Sequence, residues 1–240
     1  HKSLGGYHAA KLRRYQEMIE RYIQPEMQKA MSAVADAGGD MTAVDGNRIF
    51  PVISMLNAKY FILPLQGGRT VPVMNPYAFG AAWFVDKVSF VDNANEEIDR
   101  IGKIDLHHEA VADKKFAEQI GKAVPQSGTS LVSITAYQPN ELKYDVKSDK
   151  GGVIVFSEVY YPGWTATVDG KAVEVGRVNY ILRAINVTPG SHKIVLTFRP
   201  STVTVTETIA YIGYGLLIAT LLLLVYFEYK KKKNQQTNRD

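Results

Sequence analysis

Polar and apolar residues alternate strictly through 141–147, where Leu142, Tyr144 and Val146 interleave with Lys143, Asp145 and Lys147. A period of two puts one set on each face of a β-strand. The same beat returns in Trp164, Ala166 and Val168 against Thr165 and Thr167, and again in Ile194, Leu196 and Phe198. Between them "GVIVF" is a short buried run. Asp169-Gly170 is a strong hairpin turn, because both central residues of that turn type need positive φ. Pro189-Gly190 marks the next turn. From Ser130 onward this makes about seven short strands with regular turn signals, which reads as an antiparallel β-sandwich.

Before Ser130 the beat changes. Leu12, Tyr15, Ile19, Tyr22 and Ile23 fall on one face of a helix, and "MQKAMSAVADAGG" predicts a second helix ending at Gly38-Gly39. "AKYFIL" and "AWFVDKVSFV" read as strands, and "ANEEIDRIGKI" as a helix between them and the sandwich. "VPQSGTS" is the natural boundary. The expected class is α+β: a mixed helix and strand region over 1–125, a β-sandwich over 126–200 and a connector over 201–207. A transmembrane helix over 208–227 and a basic tail over 228–240 complete the chain.

The span is read from "TIAYIGYGLLIATLLLLVYF", twenty residues without a charge. At about 1.5 Å per residue such a helix reaches roughly 30 Å, the thickness of the hydrocarbon layer. Tyr211 and Tyr214 sit near one end and Tyr226 and Tyr229 near the other, as interfacial aromatics do. Residues 188–207 hold two basic side chains, Lys193 and Arg199, and residues 228–240 hold five. The positive-inside rule therefore places the tail in the cytoplasm and the main body outside.

Charge narrows the function further. The sequence pI is about 9.0, yet the basic residues are concentrated at the ends. Of a net charge of +4, the tail contributes +3 and the first 21 residues +3, leaving −2 for the middle. A near-neutral body with two basic ends is not a nucleic-acid surface; it suits a protein that meets a membrane. The chain has no cysteine, which excludes disulfides and thiolate metal sites. It begins at His1, which reads as a fragment of a longer protein.

No catalytic motif emerges. The His107-His108 pair, with Asp105 and Glu109 nearby, has no third ligand at suitable spacing, so no metal and no cofactor are expected. There is no Gly-x-Ser-x-Gly, and none of the Gly-Gly pairs precedes Lys-Ser/Thr as a phosphate loop requires. Asn186-Val187-Thr188 fits a glycosylation sequon but reads as a strand end. "YYPGW" crowds three aromatics around Pro162-Gly163. Trp164 opens an alternating strand on the core-facing set and reads as core. Tyr160 and Tyr161 point to opposite faces, so one of them is left as a sugar-contact candidate.

Four segments, "SLGGYHAAKLRRYQEMIERYI", "SMLNAKYFIL", "AWFVDKVSFVDNANEEI" and "VIVFSEVYYPGWTATVDGKAVEVGRVNYILRAINVTPGSHKIVLTF", occur in order along the chain. Together with the terminal helix they resemble the C-terminal part of the YfhO-like family of bacterial multi-spanning membrane proteins. That family is similar to glycosyltransferases of the GT-C type. The resemblance implies a bacterial inner membrane location. It also implies transfer of a sugar from a polyprenyl-phosphate carrier to a cell-envelope acceptor, with upstream membrane helices of the same protein as partners. The catalytic acid of such enzymes lies in an early loop between membrane helices, so no catalytic residue is carried over to this chain. On this reading the basic helix start after Gly5-Gly6, with His8, Lys11 and Arg14, is a candidate contact for the carrier phosphate; membrane lipid is the other partner it suits. The alternative is a non-catalytic, membrane-anchored sandwich that binds glycan or protein.

Overall fold

The computed structural model describes residues 3–5, 12–64 and 66–237. His8 and Lys11 lie outside these described residues. The chain divides into two compact units, His1–Thr197 and Phe198–Asp240.

The first unit opens with one continuous helical rod: α1 (Arg13–Met18), a π-helical turn (Ile19–Ile23) and α2 (Gln24–Asp36). The two helices expected from sequence are thus fused, and Pro25, which has no N–H to give to the preceding turn, follows directly on the π-helical turn where the regular ladder is already interrupted. Gly38 and Gly39, both at positive φ, end the rod with the Gly39 N–H donating to the Val34 carbonyl at 2.8 Å. Two short helices follow, α3 (Gly46–Ile49) and α4 (Pro51–Met55), and then a hairpin of β1 (Tyr60–Pro64) and β2 (Thr70–Met74).

The stretch read as one strand over 82–91 breaks in two, β3 (Ala82–Val85) and β4 (Lys87–Val91), which join different sheets. Asp86 is the pivot. Its Oδ1 accepts the Gln126 N–H at 2.6 Å, its Oδ2 meets His108 Nδ1 at 2.7 Å, and its own N–H donates to the His108 carbonyl at 2.7 Å. Helix α5 (Ala94–Ile101) crosses from β4 to the parallel strand β5 (Glu109–Asp113). Asn93 and Glu96 form a reciprocal capping box at its start, as the sequence Asn-Ala-Asn-Glu leads one to expect. After α6 (Ala117–Ile120) the remaining strands are β6 (Ser130–Gln138), β7 (Glu141–Ser148), β8 (Gly152–Val159), β9 (Trp164–Val168), β10 (Lys171–Val173), β11 (Gly176–Val178), β12 (Leu182–Val187) and β13 (Gly190–Phe198).

They form two antiparallel sheets, one ordered β10-β9-β13-β7-β6 and the other β11-β12-β8-β3. Strand β3, from the N-terminal mixed region, is thus an edge of the sandwich. The alternation read from sequence holds: Leu142, Tyr144, Val146, Ala166, Ile194 and Leu196 are buried against Ala82, Phe84, Ile154, Phe156, Ile185 and Val187 of the four-stranded sheet. The opposite face of that sheet, with Trp83, Val85, Val153, Val155, Leu182 and Ala184, packs on Met18, Ile23, Ile53, Ile98 and Val111. The four-stranded sheet is therefore a middle layer, covered on both faces, which is why "GVIVF" carries no alternation. Asp169 and Gly170 both adopt positive φ, as the hairpin reading requires.

The second unit is dominated by α7 (Ser201–Thr237), within which Val205–Glu228 is a 24-residue stretch of mean hydropathy 2.2, long and apolar enough to cross a bilayer. Residues 201–207 and 228–237 are helical as well. Once the apolar segment has nucleated a helix, adding Lys, Gln and Thr residues at its ends costs well under about 1 kcal/mol each.

Helix α4 has no side-chain cap of its own at Phe50. Glu26, 7% exposed on α2, supplies one: its carboxylate accepts the Val52 N–H at 3.1 Å and the Ile53 N–H at 2.9 Å. Burial outweighs these bonds and pushes the Glu26 carboxyl up to about 7. A carboxyl raised in the fold lends stability that is fully present below its unfolded value, near 4.5, and is lost as pH climbs through about 7. Between pH 5 and 8 the protein should lose on the order of 3 kcal/mol through this group. Urea titrations of the detergent-solubilised chain should show that slope for the native protein and a flatter one for Glu26→Gln.

Candidate functional site

A surface cleft of about 500 Å³ opens between three pieces of chain. Asn47 and Pro51, on α3 and α4, line one side; Pro76, Tyr77 and Phe79 follow β2; Asp105, His107 and His108 follow α5. Each wall is pinned from behind. The buried Asn75 donates its side-chain amide to the Ala58 carbonyl at 2.9 Å and accepts the Tyr77 N–H at 2.9 Å. The Tyr77 hydroxyl donates to the Val44 carbonyl at 2.6 Å. Gly46 is required behind that ring: a Cβ there would come within 2.2 Å of Tyr77. The Phe79 N–H donates to the Ser54 carbonyl at 3.1 Å, and its ring stands edge-on to Trp83 at 5.1 Å and to His107 at 4.8 Å.

Asp105 Oδ1 accepts the His107 N–H at 3.0 Å, which orders the turn that presents both histidines. His108 leans on Asp86, while Gln126 takes the other oxygen of that carboxylate. These bonds, the Gln126 one foremost, hold the Asp86 carboxyl below its usual range. The cleft thus offers the rings of Tyr77, Phe79 and His107 beside the Asn47 amide, the Asp105 carboxylate and the imidazoles. Rings beside amide and carboxylate groups suit a ligand with an apolar face and a rim of hydroxyls. Among the described residues no three His, Asp or Glu side chains converge as a metal site.

The residues singled out from sequence lie elsewhere. Arg14 turns inward: its guanidinium meets Glu97 at 3.2 Å and stacks 4.2 Å from the centre of the Tyr180 ring. Tyr160 is half-buried with its ring edge-on to Phe116 at 5.7 Å. Tyr161 is 46% exposed. Neither tyrosine lines the cleft. Trp164 is partly buried against the sandwich core, with the Arg183 guanidinium 3.8 Å from its ring centre. Arg183, only 2% exposed, also donates through Nε to the Val159 carbonyl at 3.1 Å. Burial draws its guanidinium down to about 10.

Sequence reasoning missed the polar centre of the unit. Glu97, without exposed surface, accepts Arg177 at 2.9 Å, Arg14 at 3.2 Å and the Tyr180 N–H at 3.1 Å. The Tyr180 hydroxyl donates to Glu17. That bond is the largest influence on Glu17 and lowers its carboxyl, while burial above all pushes the Tyr180 phenol up to about 12. Asn179, at positive φ, exchanges two bonds with the Val111 backbone, at 2.7 and 3.0 Å. The one signal available in sequence was a glutamate at a core-facing position of α5, one residue after the capping Glu96.

Residues 102–210 match the model of a family described as bacterial membrane protein YfhO. No curated protein matches the chain. The matched region contains the histidine wall of the cleft together with Arg177 and Tyr180, and leaves out Tyr77, Phe79, Glu97 and Arg14.

Removing the Glu97 carboxylate leaves the buried Arg177 guanidinium without its acidic partner and takes one from the partly exposed Arg14. Glu97→Ala should therefore cost about 3–5 kcal/mol. Combining it with Arg177→Met should recover part of that loss, which equilibrium unfolding in detergent will read directly.

Proposed function

From a chain that is a YfhO-like bacterial membrane protein over residues 102–210, we propose a part in glycosyl transfer. Its first unit is the extracytoplasmic domain that holds a glycan acceptor. A membrane-embedded part of the same protein takes the sugar from a polyprenyl-phosphate donor. The observation that carries this reading is the cleft, where Tyr77, Phe79 and His107 offer ring surfaces beside Asn47 and Asp105. A pyranose has an apolar C–H face and a hydroxyl rim, and this lining supplies a counterpart to each. The basic asymmetry around Val205–Glu228 supports an outside position for this domain and a cytoplasmic tail. In the inner membrane, that side is where the lipid-linked sugar is presented. On this reading His8, Lys11 and Arg14 are the candidate contacts for the carrier phosphate, with Arg14 also engaged by Glu97. Tyr161, 46% exposed, is a candidate to extend the sugar contact.

The test is transfer of radiolabelled sugar from polyprenyl-phosphate donor in membranes that contain the whole protein. Phe79→Ala with His107→Ala should lower kcat/KM for the acceptor about tenfold, the worth of a lost ring contact or two, and leave the donor's KM unchanged. Unchanged acceptor kinetics would remove the cleft from this reading. A lack of donor-dependent transfer by the intact protein would remove glycosyl transfer itself.

A further inference from the structure

The β1–β2 hairpin is a two-stranded sheet on its own. Its inner face is built into the unit: Phe61 is 2% exposed and stands edge-on to Phe50 at 5.1 Å. The Asn75 N–H closes the base on the Lys59 carbonyl at 2.8 Å. The outer face should be polar in a water-soluble hairpin. Here it is Tyr60, Ile62, Pro64, Pro72 and Met74, with Thr70 opposite Pro64 at the tip, brought side by side by the pairing of Tyr60 with Met74 and Ile62 with Pro72. Ile62 and Met74 are each 62% exposed and Tyr60 59%. These residues form one exposed apolar strip, held rigidly from behind.

Charge selects what covers it. Residues 58–75 contain no Asp or Glu, and their two cations, Lys59 and Arg69, flank the strip at its base and its tip. Both are exposed, and neither enters an ion pair among the described residues. A second copy laid on this face would bring like charges together. Pro64 and Pro72 lack the N–H groups that edge-to-edge strand pairing would use. A bilayer meets each requirement: acyl chains for Ile62 and Met74, the interfacial zone for Tyr60, anionic headgroups for Lys59 and Arg69. The chain's own apolar helix, Val205–Glu228, keeps such a surface at hand.

We propose that the β1–β2 hairpin is a membrane-interface wedge, with Tyr60, Ile62 and Met74 seated at the headgroup–acyl boundary of an anionic bilayer. This is independent of the glycan reading. It gives the first unit an attachment to the membrane of its own.

The chain has no cysteine, so one introduced thiol reports alone. Ile62→Cys in the full chain, labelled with an environment-sensitive fluorophore, is reconstituted into vesicles of phosphatidylglycerol and phosphatidylcholine with shallow doxyl-labelled lipid. Ser32→Cys on α2, an exposed position, serves as the control. The Ile62 label should emit to the blue of the control and be quenched by the doxyl lipid, while the control is not. Water-like emission at position 62 would overturn the proposal. So would blue-shifted emission that the doxyl lipid leaves unquenched, since that outcome means protein covers the face.

Discussion

A carboxylate with no exposed surface, Glu97, is the constraint on which the first unit depends. Burying an unpaired carboxylate costs several kcal/mol, so the chain must deliver counter-charges to it or fail to close. It does so from two distant places. Arg14 comes from the first helix and Arg177 from the turn region of the last strands, and the Tyr180 N–H completes the shell. The Tyr180 ring lies under the Arg14 guanidinium, and its hydroxyl reaches Glu17 one turn along the same helix. To aim these groups, Asn179 and Tyr180 both adopt positive φ, a conformation costly for side-chain-bearing residues and kept only where the surroundings enforce it.

The network reaches the cleft through the elements it fixes. Glu97 lies on α5, and the loop after α5 presents Asp105, His107 and His108. Asn179 extends its amide to within 3.4 Å of the Met55 sulfur on α4, the helix whose start is held by Glu26 and whose Ser54 carbonyl accepts the Phe79 N–H. All three walls of the cleft are therefore tied to elements around one buried polar centre. The middle sheet supplies the rigid backing, because its two apolar faces leave it no freedom to shift relative to either neighbour layer. A rigid scaffold that presents loop-borne rings is the usual arrangement of a binding site.

The sandwich strands were legible because alternation is a local signal: Leu142, Tyr144 and Val146 could be assigned to the core without any other part of the chain. The capped helix over Ala94–Ile101 and the apolar C-terminal helix were legible for the same reason. Strand β5 was missed because "EAVAD" is short and flanked by polar residues, and β2 because Pro72 suppresses a strand reading. The break at Asp86 could not be seen, since it depends on Gln126 and His108 far along the chain. The candidate site was less legible than the fold. His107 and His108 were noticed but weighed only as metal ligands. Tyr77 and Phe79 carry no periodicity, and the distance between the cleft's walls is set by tertiary contacts. Arg14 was singled out as a candidate contact for a carrier phosphate, and it lies against Glu97 and Tyr180. Its partner Glu97 lies 83 residues away, and no spacing rule connects the two.

One buried carboxylate joins the first helix, the β4–α5–β5 crossover and the β11–β12 turn into a single cooperative body. Amide hydrogen exchange of Glu97→Gln, followed by mass spectrometry on the full chain in detergent, tests it most directly. The account expects protection to fall together in 13–23, 109–113 and 176–182, while β7 and β13 of the five-stranded sheet keep theirs. A loss confined to α5, or exchange identical to that of the native chain, would contradict it.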